Sequence, residues 1–145
     1  MGFVGLDHIK VSSLKRIEVD GGDVMHAIKN TDQGFAGFGE AYFSNILASH
    51  IKAWKLHSEM TMNLIVPLGR VRFVFAQTAK LGNFNFRVEE IGEGCYCRIT
   101  VPPGIWFGFQ GRGGQNNLVL NISNVLHHPN EVERCAVGDI DFDWG

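Results

Sequence analysis

Val101-Pro102-Pro103-Gly104-Ile105-Trp106-Phe107-Gly108-Phe109 decides how this chain reads. Two successive prolines cannot donate to a β-ladder, so the run ending at Val101 must stop there. Gly104 then takes the turn, and an aromatic, apolar run resumes at once. A strand that stops, turns in three residues and restarts belongs to an all-β fold with tight corners.

Outward from that turn the same grammar repeats. Short runs rich in Val, Ile, Phe and Leu alternate with glycine, and the 18 glycines are spread along the whole chain. The runs predict strands over 14–19, 24–29, 35–43, 50–57, 62–68, 70–77, 84–90, 96–101, 106–109 and 117–124. Gly21-Gly22-Asp23, Pro67-Leu68-Gly69-Arg70 and Gly111-Arg112-Gly113-Gly114-Gln115-Asn116 read as connections. One short helical turn is expected near 43–48 and another near 130–135. Many short strands at this spacing predict a sandwich or barrel, and an eight-stranded jelly roll uses about this number while closing its edges.

The chain has 145 residues, which fits one domain over 1–145. Apolar residues make up 45%, enough for a substantial core. The net charge is −2 and no basic run or face is visible, which argues against a nucleic-acid partner. No apolar stretch approaches the roughly 20 residues that span a bilayer. MGFVGLDHIKVSS lacks a cationic start followed by an apolar core, so no leader and no membrane partner are expected. Cys95, Cys97 and Cys135 make an odd count, which predicts reduced thiols in a cytoplasmic protein. Cys95-Tyr96-Cys97 lacks a second ligand pair for zinc and reads as two small buried residues on one strand face.

Strand alternation proposes which side chains meet. Lys55, His57 and Glu59 share one face of the strand near 52–59, opposite Trp54, Leu56 and Ser58. Val119, Asn121 and Ser123 share a face opposite Leu118, Leu120 and Ile122. The leucine–isoleucine face reads as core, and the asparagine–serine face as water or a polar cavity. His26 reads as a residue of the cavity mouth, and His127-His128 as loop decoration.

Several segments together resemble one family. Gly34-Phe35-Ala36-Gly37-Phe38-Gly39-Glu40-Ala41-Tyr42 is similar to the Gly-Phe-Phe-x-Glu-x-Tyr segment of the dTDP-4-dehydrorhamnose 3,5-epimerases, with two extra residues. Lys52-Ala53-Trp54-Lys55-Leu56-His57 resembles their Arg-Gly-Leu-His-Tyr-Gln strand. The stretch from Val101 to Phe109 resembles their Ile-Pro-Pro-Gly-Phe-Ala-His-Gly-Phe turn. His128-Pro129-Asn130-Glu131 and Ile140-Asp141-Phe142-Asp143-Trp144 resemble Tyr-x-Pro-x-x-Glu and Ile-x-Ile-x-Trp. The order is the family's, from 34 to 144. The resemblance implies a cupin jelly roll (double-stranded β-helix) that works as a homodimer without a cofactor. It implies a nucleotide-linked 4-keto-6-deoxy sugar as substrate, epimerised at C3, C5 or both, in deoxysugar and surface-polysaccharide biosynthesis.

The chemistry of that reaction sets what the site must supply. A ketone acidifies the neighbouring C–H bonds, a base removes one proton, an acid returns one to the opposite face, and a donor stabilises the enolate between. The family uses a His as base and a Tyr as acid. Those positions fall on Lys55 and Asn121 here, and the orienting aspartate has no clear counterpart near Val137 to Asp139. A lysine acts as a base only where burial or a neighbouring cation lowers its pKa, and an asparagine is a poor proton donor. His57, on the same face as Lys55, stands one alternation further along. Lys55, His57 and Asn121 are therefore the expected catalytic residues. The resemblance adds Glu40 on the nucleotide, Lys52 on the phosphates, Asn63 near a family lysine and Trp106, in the matching turn, stacked on sugar or base. Arg70 and Arg72 share a face of the next strand and one of them, Arg72, is expected on a diphosphate, while Ser123 stands beside Asn121. Metal-dependent cupins place His-x-His and a later His where Lys55 and Phe107 stand, so no metal is expected. A 3,4-ketoisomerase of the same substrate class, whose His-x-His keeps its second His here, and a non-catalytic nucleotide-sugar binding cupin are the alternatives.

Overall fold

The computed structural model describes residues 4–145. The strands are β1 (Lys10–Ser13), β2 (Arg16–Ile17), β3 (Val24–Met25), β4 (Glu40–Leu47), β5 (Ile51–His57), β6 (Met62–Leu68), β7 (Arg70–Thr78), β8 (Phe84–Gly92), β9 (Cys97–Val101), β10 (Trp106–Gly111), β11 (Asn116–Ser123) and β12 (Val132–Arg134). Among the described residues helix is limited to three-residue 3-10 turns. Two antiparallel five-stranded sheets face each other, in the orders β1-β9-β6-β11-β4 and β12-β5-β10-β7-β8, with β2 and β3 as a separate hairpin. This is the expected jelly roll, with ten strands rather than eight.

Between β6 and β7 the chain passes from one sheet to the other at a single residue, Gly69. Its φ is +82° and a Cβ there would run into Asn117 Oδ1, so only glycine makes this corner. The expected helical turn at 43–48 is the second half of β4. The one near 130–135 is a 3-10 turn, Pro129–Glu131, followed by β12. Lys10–Ser13, for which the sequence predicts no strand, pairs with β9 as an edge strand. The strand expected over 35–43 starts only at Glu40.

Two apolar clusters form, on the two sides of the second sheet. Ile46, Met62, Leu64, Val66, Val71, Phe73, Phe75, Ile99, Val101, Phe107 and Val119 fill the space between the sheets. Trp54, Val74, Ala76, Ile140 and Trp144 fill the outer side, where the C-terminal segment crosses. Trp54 and Trp144 pack with their rings tilted by 46° and centroids 5.4 Å apart, and Trp54 Nε1 donates to the Val137 carbonyl at 3.0 Å. The first sheet is covered on part of its outer face too. Arg98, 2% exposed, donates there to the Ala27 carbonyl at 2.8 Å, to the Gln33 carbonyl at 3.2 Å and to Asn63 Oδ1 at 3.1 Å.

On β11 the asparagine–serine face points inward, in keeping with its polar-cavity reading, but the leucine–isoleucine face is not the core. Asn117, Val119, Asn121 and Ser123 are buried, while Leu118, Leu120 and Ile122 are half-exposed on the outside. Register places Leu120 beside Phe43 and Ile65, and Leu118 beside Leu68, so the outer residues form an apolar sheet face. Of the Cys-x-Cys pair, Cys97 is buried and Cys95 exposed, with their sulfurs 3.7 Å apart.

Candidate active site

The interior is not filled to the end. A cavity of about 350 Å³ opens between the sheets, with Met62, Leu64, Phe107, Phe109 and Val119 as its apolar lining. Its polar groups come from both sheets: Tyr42, Ser44 and Asn121 from the first, and Lys52, Lys55, His57 and Arg134 from the second. An apolar cavity with a few converging polar groups is the form a small-molecule site takes.

A bulge in β5 explains how three of its polar residues face one way. Phe107 pairs with Lys55, but Gly108 pairs with Ala53, so Trp54 is the extra residue. The bulge shifts the alternation by one. Lys52 on one side of it and Lys55 and His57 on the other all reach the cavity, while Trp54 is left in the outer core. Gly108 opposes the bulge because a Cβ there would come within 2.5 Å of the Ala53 Cβ.

His57 is held at several points. Its carbonyl accepts from the Gly104 N–H at 2.7 Å, so the Pro-Pro-Gly turn fixes its backbone. Its ring stacks on Phe107 with centroids 5.9 Å apart. Its Nδ1 meets Glu131 Oε1 at 2.6 Å, with both side chains buried. Glu131 Oε2 accepts from the backbone N–H groups of Glu59 and Met60, each at 3.1 Å. Burial by itself pushes the Glu131 carboxyl up, but the hydrogen bonds from His57 and from these two amides outweigh it and hold the group below its ordinary 4.5. An ionised carboxylate only accepts, so Nδ1 carries the proton and donates it to Glu131. The lone pair of neutral His57 is then on Nε2, which has no partner among the described residues. That is the arrangement of a general base with an orienting carboxylate. Glu131 thus holds His57 in the way the resemblance expects of an orienting aspartate.

Lys55 shares the cavity with its neighbours in charge. Burial first, then Arg134 and Lys52, hold its amine below the ordinary 10.5. Arg134 is its register partner on β12. Lys52 Nζ donates to the Asn45 carbonyl at 2.7 Å and so spans from β5 to β4. Cys135 also lines the cavity, but burial and Asp139 push its thiol up, which keeps it protonated and unreactive.

A crystal structure of a dTDP sugar isomerase from Desulfovibrio desulfuricans G20 superposes on this chain with a TM-score of 0.88, at 31% identity over 95% of this chain and 91% of that one. This chain belongs to the dTDP-sugar isomerase family. The same fold occurs at lower identity in a dTDP-4-dehydrorhamnose 3,5-epimerase from Elizabethkingia anophelis, with a TM-score of 0.76, 12% identity and coverage of 99% and 84%. It occurs again in a sugar 3,4-ketoisomerase from Thermoanaerobacterium thermosaccharolyticum in complex with TDP, with a TM-score of 0.75, 12% identity and coverage of 90% of each chain. No protein-family model and no curated protein matches the chain.

In this dTDP-sugar isomerase family member the cavity gathers Lys52, Lys55, His57 and Asn121 from the expected residues. It does not gather the others. Glu40 accepts from the His127 N–H at the start of β4, outside the cavity. Asn63 points to the outer side of the first sheet, where Thr100 Oγ1 donates to it at 2.6 Å and it donates to the Gly34 carbonyl at 3.1 Å. Arg72 lies on the outer side of the second sheet, against Gln110 Oε1 and the Trp144 carbonyl. Trp106 packs against the outer cluster with Leu56 and Ala76 as register partners. Ser123 donates to the Val125 carbonyl at 2.6 Å and ties down a loop. Glu59 lies past the end of β5, and His26 lines a separate cleft beside Arg98. Among the described residues no three His, Cys, Asp or Glu side chains group to hold a metal. The site also holds Tyr42, Glu131 and Arg134, which strand alternation does not single out. Tyr42 and Glu131 stand in the sequence only as landmarks of resembling segments.

Proposed function

We propose that the protein is an epimerase or isomerase of a nucleotide-linked 4-keto-6-deoxy sugar, with His57 as the base that removes the proton beside the ketone. The observation that carries this is the buried His57–Glu131 pair at 2.6 Å, whose free Nε2 belongs to an apolar cavity bordered by Lys52, Lys55 and Arg134. The three cations suit the diphosphate of such a substrate, and Lys55 beside His57 is placed to offset enolate charge. The apolar lining suits the methyl group of a 6-deoxy sugar. The solved relatives with this fold include a dTDP sugar isomerase and 3,5-epimerases.

Incubation in deuterated water with dTDP-, CDP- or GDP-linked 4-keto-6-deoxy sugars is the test. The reading expects deuterium at C3 or C5, and its loss in His57→Ala. No exchange with any of them, with binding intact, favours a nucleotide-sugar binding cupin instead. The 3,4-ketoisomerase reading retains one support, the second His of the His-x-His pair at His57, and a 3-keto product would establish it.

We further infer a cytoplasmic homodimer. Three free cysteines agree with a reducing compartment. Phe43, Leu47 and Leu68 are 62%, 47% and 48% exposed beside Leu118, Leu120 and Ile122, an apolar sheet face that a second copy would cover. Light scattering of the parent and of Phe43→Glu checks this: a dimer that becomes monomeric supports it, and a parent monomer refutes it.

A further inference from the structure

β4 and β11 are antiparallel neighbours, and Tyr42 and Asn121 are partners in their register. Both side chains enter the cavity, on the sheet opposite His57. Asn121 Nδ2 donates to the Tyr42 hydroxyl oxygen at 3.0 Å and to Met60 Sδ at 3.5 Å. Asn121 is 3% exposed, and its Oδ1 is buried without a partner. A buried amide oxygen left unpaired costs about 1–3 kcal/mol, so its occurrence in a cavity points to a donor that arrives with a ligand.

The orientation of this amide decides the direction of a proton. As placed, its N–H group meets two acceptors. Turned over, its oxygen would face the Met60 sulfur, acceptor against acceptor, and would draw the Tyr42 hydroxyl proton to itself. In the observed orientation the Tyr42 oxygen accepts, so its own proton remains available to the cavity.

We infer that Tyr42 is the proton donor of this site and that Asn121 is the positioning residue that aims it. The proposal rests on the epimerase reading above. There, His57 Nε2 takes the α-proton from one face of the sugar, and the C–H electron pair passes into the enolate. The Tyr42 O–H bond breaks as its proton bonds to the same carbon from the other face, leaving a phenolate. Asn121 donates to that phenolate, and Lys52, Lys55 and Arg134 share its cavity. Imidazolium and phenolate return to their resting forms by losing and gaining a proton to and from water, so the cycle balances. Asn121 Oδ1 is left to accept from a substrate hydroxyl. The acid absent from position 121 thus stands one strand away, and the residue at 121 holds it.

Separate measurement of exchange and inversion tests this. Tyr42→Phe should still wash deuterium into the α-carbon with retained configuration through His57, while inversion falls by about 10²-fold or more. Asn121→Asp, which can only accept from Tyr42 when ionised, and Asn121→Ala should each lower inversion at least about tenfold and move the alkaline limb of its pH profile upward, and Asn121→Ala, which loses the Oδ1 acceptor, should also raise KM. The Tyr42→Phe/Asn121→Ala double variant should lose no more than Tyr42→Phe alone. Fluorotyrosine incorporation reads the same proton without altering the fold: the chain has two tyrosines, and Tyr96 is bound to the His26 carbonyl outside the cavity. The alkaline limb should move down with the phenol. Parent-like inversion in Tyr42→Phe, or an unmoved limb with fluorotyrosine, overturns Tyr42 as the acid. Additive losses in the double variant overturn the positioning role. An absence of exchange in the parent overturns the epimerase reading instead, so the two failures are distinct.

Discussion

Glu131→Gln removes one charge and almost no volume, and its effect can be worked out from the geometry. Glu131 accepts from His57 Nδ1 with one oxygen and from the amides of Glu59 and Met60 with the other. Glutamine has only one oxygen. If that oxygen turns to the two amides, its NH2 faces Nδ1 and drives the His57 proton to Nε2, the atom that must be free to act as base. If it turns to Nδ1, its NH2 confronts two backbone donors in a buried site. Loss of a charge-assisted bond is worth about 1.5–3 kcal/mol, and an unpaired buried donor about 1–3 kcal/mol, so a total of about 2.5–6 kcal/mol is expected. At about 3–4 °C per kcal/mol for a domain of this size, Tm should fall by roughly 8–24 °C. The exchange rate should fall by about 10²–10⁴-fold, since the wrong tautomer removes general-base catalysis. Deuterium incorporation followed by NMR, with melting by circular dichroism on the same sample, reads both. A folded variant that exchanges within about threefold of the parent would refute the dyad, because no orientation of glutamine leaves Nε2 free and Nδ1 satisfied together with both amides.

Other consequences are smaller or simpler. Arg134→Ala should raise KM for a nucleotide-linked sugar, or Kd for TDP, by about tenfold, roughly 1.4 kcal/mol, with less change in kcat; titration calorimetry with TDP checks it. Asn63→Ala should lower stability by about 2–3 kcal/mol, because it leaves Thr100 Oγ1, the Arg98 Nε and the Gly34 carbonyl without their shared partner, and should leave kcat alone. The acid limb of stability follows from Glu131, whose carboxyl is depressed when folded. Its contribution is complete above the ordinary 4.5 and is lost as the pH falls through the lower folded value, so urea midpoints should drop there in the parent and less steeply in Glu131→Gln.

The strand grammar was legible because glycine and proline mark the corners and the apolar runs are short. The pairing of Lys55 with His57 was legible too, since both lie on the same side of the β5 bulge, where period-two alternation holds. Lys52 reaches the same cavity only because Trp54 is an extra residue, a shift that alternation cannot show. The misplacement of Arg72, Trp106 and Asn63 has one cause. Both sheets are covered on outer faces, by the C-terminal segment and by residues around Ala27 and Gln33, so polar side chains are buried on both sides. Alternation then says which residues share a face, but not which face holds the cavity. On β11 the apolar outer face of Leu118, Leu120 and Ile122 reads as core for the same reason. Glu131 was hidden differently. It lies 74 residues from His57, and only the 3-10 turn at Pro129 brings it there.

The separation of roles between the two sheets follows from the architecture. β5 carries His57 and the two lysines, β12 adds Arg134 and leads out of Glu131, and all belong to one side. β4 and β11 carry Tyr42 and Asn121 on the other. Under the proposed function, a sugar ring lying between the sheets would have a base on one face and a hydroxyl on the other, which inversion of a carbon requires and a single-faced transfer does not. The charges are distributed to match. Glu131 is consumed by His57 and two amides and offers the cavity little free negative charge, whereas Lys52, Lys55 and Arg134 leave an excess of positive charge. On that proposal a diphosphate would take up part of that excess, and the rest would favour an enolate over the ketone from which it forms. Lys55, at the position that the resemblance aligns with the epimerases' histidine, would then add charge stabilisation there, and the proposed base stands two residues later at His57.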